Sequence, residues 1–95
     1  MAHTLTPEQL EALRAMPLLG MPNKVEIALS LVGAKQADIV EDKDMDASSV
    51  HRVVKGKYSA LELETSRKFA AFFGCQIEDL FPARVETPAG DGVQA

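Results

Sequence analysis

Glycine and proline cut this chain into segments that suit short helices and little else. Pro17, Gly33, Gly56, Gly74 and Pro82 each stand behind an amphipathic stretch, and both residue types end helices. The starts are marked as well. Thr6 can cap, Pro7 occupies a position where a missing N–H costs nothing, and Gln9 can return the capping bond. Leu5 and Leu10 then stand at the two positions of a hydrophobic staple, so the spacing predicts a helix from about Pro7 to Met16. Asn23 with Glu26 repeats the capping pattern ahead of Val25, Ala28, Leu29 and Val32, which follow the i, i+3, i+4, i+7 rule. Gln36 to about Lys43 forms a further short helix with Ile39 and Val40 inward and Asp44 at the break. Asp46 is the expected cap for Ala47 to Lys55, and Gly56 suits the left-handed position just past that end. Leu61 to Phe73 and a last turn, Ile77 to Phe81, complete the series. No strand alternation of useful length occurs, so the expected fold class is all-α.

Ninety-five residues, 46% of them hydrophobic and 25% charged, leave room for one small core. Cores of this size often gain stability by self-association, which makes a homodimer the default. No apolar run approaches the roughly 18 residues that cross a bilayer, and Met1 to Leu5 lacks the regions of a secretory signal, so no membrane partner and a cytoplasmic, nucleoid-associated location are expected. Cys75 is the one cysteine, and His3 and His51 lie far apart, so neither a disulfide nor a metal-ligand spacing is present. No cofactor or small-molecule ligand is expected. The organisation expected is an N-terminal extension with one helix over 1–21, a helical domain over 22–82, and a flexible tail over 83–95, where ARVETPAGDGVQA offers little to bury.

The segment Asp46 to Lys55 carries the functional signal. At 100° per residue Val50, Val53 and Val54 share one sector, while Ser48, His51, Arg52 and Lys55 share the opposite one. A short helix anchored on one side and hydrogen-bonding on the other, tightly linked to the helix before it, is what a DNA major groove accepts. The formal net charge of −4 argues against a nucleic-acid partner only in total. Locally, HRVVKGK from His51 to Lys57 holds Arg52, Lys55 and Lys57 and no acid. Arg52 can fork onto guanine, Ser48 can bond a base edge or a phosphate, and Lys55 and Lys57 suit phosphates. The amides around Gln36, at a helix N-terminus, offer a further phosphate anchor. Asp38, Glu41 and Asp42 on the preceding helix are expected to point away from phosphate.

The stretch QADIVEDKDMDASSVHRVVKGK resembles the helix-turn-helix of the Cro/C1-type (XRE-like) repressor family, with Gln36, Ile39, Asp44, Asp46, Val50, Val53 and the Gly56-Lys57 pair in register. Downstream, RKFAAFFGCQIEDLF resembles the family's closing helix, glycine and final short helix. The resemblance spans roughly 23 to 81 and implies a compact five-helix lambda-repressor-like domain, here with an extra N-terminal helix. It further implies base contacts from Ala47, Ser48, His51 and Arg52, and phosphate contacts from Gln36, Lys55, Lys57 and Tyr58. Four departures stand out. Val40 replaces the usual alanine, Lys43 an apolar residue, Asp44 the turn glycine, and Val54-Lys55 a frequent Glu-Asn pair. Asp tolerates left-handed backbone well, and Lys43 is expected to snorkel over the core edge.

These readings imply a sequence-specific transcriptional regulator of phage-like or bacterial type, a repressor binding double-stranded DNA at a palindromic operator as a dimer. The alternative is an antitoxin or adaptor-type interaction module, in which the N-terminal leucines or the acidic helix hold a protein partner. The helix from Pro7 either covers the core or builds a dimer interface. An enzyme is not expected. Ser48, Ser49 and His51 crowd one short helix without an orienting acid, Phe69, Phe72 and Phe73 sit at core spacing, and Cys75 lacks basic neighbours.

Overall fold

In the computed structural model, which describes residues 3–82, Thr6 and Gln9 form the reciprocal cap foreseen from their spacing. The Thr6 amide donates to Gln9 Oε1 at 2.9 Å and the Gln9 amide to Thr6 Oγ1 at 3.1 Å. Six helices follow one another, α1 (Pro7–Ala15), α2 (Val25–Val32), α3 (Gln36–Lys43), α4 (Ala47–Val54), α5 (Leu63–Phe73) and α6 (Ile77–Leu80). No strand occurs among the described residues, and the fold is all-α, as expected. The expected tail, 83–95, lies outside the described residues.

Helix existence and order follow the punctuation, while several ends differ. Met16, Lys55 and Phe81 are cap residues rather than last helical residues. The fifth helix begins at Leu63 instead of Leu61, because Glu62 is extended and Leu61 packs half-buried in the preceding loop. Asn23 is not the N-cap of α2; Lys24 holds that position. Asn23 lies one residue further out, where its Oδ1 still accepts the Val25 amide at 3.1 Å. Glu26 does not close a capping box and instead pairs with Lys55.

One core gathers all six helices, with Leu13 from α1, Val25 and Leu29 from α2, Ile39 from α3, the α4 valines, the α5 phenylalanines and Leu80 from α6. Phe69 meets Phe81, and Phe72 meets Phe73, edge to face with ring centroids 6.2 and 4.9 Å apart. Such pairs add about 0.5–1.5 kcal/mol beyond the area they bury. The α1 segment belongs to this core through Leu5 and Leu13. It is also tied down by polar contacts. The Leu5 amide donates to Phe73 O at 2.8 Å, and Gln9 Nε2 to Leu31 O at 2.9 Å. Lys24, only 5% exposed, reaches Leu13 O with its Nζ at 2.7 Å.

Arg14 completes the attachment of α1, with Nε 2.7 Å from the Asp79 carboxylate. Burial alone would raise the Asp79 carboxyl. The hydrogen bonds from Arg14 and the Gln76 amide, with the charges of Arg14 and Lys24, outweigh it and hold that carboxyl below its ordinary value. Nearby, burial pushes the Cys75 thiol up to about 12, with the Asp79 charge adding to the rise and Arg14 opposing it. Gly74 is required where α5 ends. Its φ is +68°, and a Cβ there would lie 2.7 Å from Thr4 Cγ2.

Candidate nucleic-acid interface

The turn between α3 and α4 closes on Asp44, which takes left-handed backbone with φ 53° and ψ 50°. That is the conformation anticipated for the residue replacing a glycine. The Met45 amide then returns to Val40 O at 3.0 Å, so the chain reverses within three residues and α4 packs against α3. Val40 is half-buried against the core. Lys43 is half-buried too, with its ammonium 3.5 Å from Asp42, at the edge of the core. Val50, Val53 and Val54 are all buried, and burying each contributes about 1.5–3 kcal/mol to holding α4 in place.

The far end of α4 is fixed by residues the sequence pattern does not reveal. Asn23 is 2% exposed, and its Nδ2 donates to Val53 O at 2.9 Å and to the Tyr58 oxygen at 3.3 Å. A single amide therefore joins the start of α2, the end of α4 and the loop beyond it. Gly56, at φ +73°, lets that loop pass directly against Pro22, where any Cβ would collide with the proline ring. Nothing in the spacing of Asn23 pointed to this role, because its partners lie 30 and 35 residues away.

With α4 held this way, Ala47, Ser48, His51 and Arg52 are all exposed on its outer side, as are Lys55 and Lys57 just after it. The structure thus brings the expected base-contacting residues onto one face. Their partners differ. The Ser48 hydroxyl donates to the Asp46 carboxylate. Lys55 Nζ lies 3.3 Å from Glu26 on α2. The Arg52 side chain forms no salt bridge among the described residues. Tyr58 is half-buried, and because its oxygen accepts from Asn23, its own hydroxyl proton remains available to donate.

A groove of about 440 Å³ flanks α4, lined among others by Met45, Arg52, Lys57, Tyr58, Leu61 and Lys68. Lys68, on α5, was not singled out by the sequence pattern, yet it lines the same groove as Arg52 and Lys57, together with the acids Asp44, Asp46 and Glu62. Gln36 stands apart, at the first turn of α3 and half-buried. There Asp38 is turned toward the helix start, its carboxylate accepting the Lys35 amide at 2.8 Å. The expected phosphate anchor near Gln36 therefore shares its end of α3 with an acid, whereas Glu41 and Asp42 are exposed further along the helix.

Among the described residues no group of three or more His, Cys, Asp or Glu side chains is arranged to hold a metal ion. No helix there is long and apolar enough to cross a membrane. A family model of the Cro/C1-type HTH DNA-binding domain matches residues 25–83. No curated protein and no solved structure matches the chain.

Proposed function

The chain belongs to the Cro/C1-type helix-turn-helix DNA-binding family, and we propose that within it the protein is a sequence-specific transcriptional repressor that binds a palindromic operator as a homodimer. The observation that carries this reading is the outer face of α4, where Ala47, Ser48, His51 and Arg52 stand exposed above three buried valines. In this reading α4 enters the major groove, its first turn and Arg52 meet base edges, and Lys55, Lys57 and Tyr58 meet phosphates. Binding phosphate requires Lys55 to exchange Glu26 for DNA. An exposed pair of this kind is worth about 0–1 kcal/mol, so the exchange is readily made. Two copies on a palindrome place their half-sites about one helical turn apart, or a multiple of that.

A second reading, a module that holds a protein partner, is favoured by one observation. Leu19 is 82% exposed on a left-handed turn between α1 and α2. Selection of bound sequences from a random duplex pool, followed by a salt titration on the selected duplex, separates the two. A repressor selects a two-fold symmetric sequence and loses affinity steeply as salt rises. Absence of binding at low salt leaves the partner-binding module.

A further inference from the structure

Asp46 precedes the first residue of α4, and its carboxylate does not cap the helix. An aspartate at this position ordinarily spends its oxygens on the amides of the first helical turn. Here the side-chain donor that reaches it is the Ser48 hydroxyl. A hydroxyl has one proton to give. Having given it to Asp46, Ser48 presents only lone pairs outward, and Asp46, as a carboxylate, also only accepts. Both side chains are exposed on the leading end of the helix. Between them Asp46 and Ser48 therefore offer DNA a cluster of acceptors and a negative charge and no donor of their own, with the half-buried Ser49 hydroxyl one residue further along.

Phosphate is repelled by such a cluster, which removes phosphate contact from the roles open to Ser48. The major groove supplies matching donors only on bases, the N4 amino group of cytosine and the N6 amino group of adenine. Adenine places its N7 acceptor beside the amino group, and N7 would face acceptor against acceptor here. Cytosine carries no acceptor of its own on that edge, so its N4 amino group is open to a carboxylate on the side away from the paired guanine. Resting on the DNA-binding reading above, we infer that Asp46, with Ser48 bonded to it, is a specificity-determining residue that accepts from the N4 amino group of one cytosine in each half-site.

The test is selection from a random duplex pool by the full chain, by Asp46→Ala and by Asp46→Asn, with binding of each selected duplex and its single-base variants read by fluorescence anisotropy. The unaltered protein is expected to require cytosine at one fixed position, by about tenfold over other bases. Asp46→Ala loses that preference and keeps the others. Asp46→Asn exchanges it for adenine, whose N6 and N7 suit a carboxamide. Asparagine is a favoured residue at a helix N-cap position, so this arm stands even where the alanine variant fails to fold. If Asp46→Ala keeps every base preference and binds all duplexes more tightly, Asp46 only repels phosphate and the inference is overturned alone. If the unaltered protein selects no sequence, the DNA-binding reading falls and this one with it.

Discussion

Replacing Asn23 by alanine should cost more stability than any exposed substitution on α4. The buried amide serves three partners: it accepts the Val25 amide at 3.1 Å, and donates to Val53 O at 2.9 Å and the Tyr58 oxygen at 3.3 Å. Val53 O keeps a second partner, the Gly56 amide at 3.0 Å. The Val25 amide stands in the first turn of a helix, where no intrahelical carbonyl serves it, and its own side chain is fully buried. Stranding that amide costs about 1–3 kcal/mol, and the two donated bonds contribute roughly another 1 kcal/mol together. The expected loss is thus about 2–4 kcal/mol, a large part of the 5–15 kcal/mol typical of a whole domain. The corresponding fall in Tm is on the order of 10–20 °C. Urea unfolding followed by circular dichroism reads it directly. Asn23→Ser, which retains an acceptor near the Val25 amide, should recover part of the loss. A loss below about 1 kcal/mol with an unchanged urea slope would mean that water replaces the amide at little cost and that Asn23 does not hold α4 in place.

Two further outcomes follow from the attachment of α1 to α6. The Asp79 carboxyl is held below its ordinary value, so its contribution to stability is complete above the unfolded-state value of about 4 and disappears as pH falls through the folded-state value. Unfolding at a series of pH values below 5 should accordingly show a steeper acid loss in the unaltered chain than in Asp79→Asn, and parallel curves would contradict the ion pair. Cys75, with its thiol pushed up to about 12, should react with iodoacetamide at neutral pH far more slowly in the folded chain than after unfolding in urea. Equal rates in the two states would place the thiol in water.

Much of the fold was legible because it depends on local backbone chemistry. Thr6, Gln9, Asp44 and Gly74 act where their spacing put them, and the three valines of α4 face inward as their wheel predicts. What was not legible depends on partners distant in sequence. Asn23 read as an ordinary cap and Lys24 carried no signal, yet both are buried because Val53 O and Leu13 O come to them only after the chain has folded. Asp46 holds the N-cap position as its spacing predicts, but its carboxylate accepts from the Ser48 hydroxyl and from no amide of the first turn. Likewise Glu26 pairs with Lys55, at the C-terminal cap of another helix, in place of the expected capping box. The exposed face of α4 was legible as a face. Which of its residues are already engaged by carboxylates was not.

If the outer face of α4 reads bases while the residues after it hold the backbone, Arg52→Ala and Lys57→Ala must differ when each is measured on the selected duplex and on random duplex across a range of salt. Arg52→Ala should cost about 1–3 kcal/mol on the selected duplex and much less on random DNA, whereas Lys57→Ala should weaken both alike and reduce the salt slope by about one. Equal losses from Arg52→Ala on selected and random DNA would mean that Arg52 reads no base.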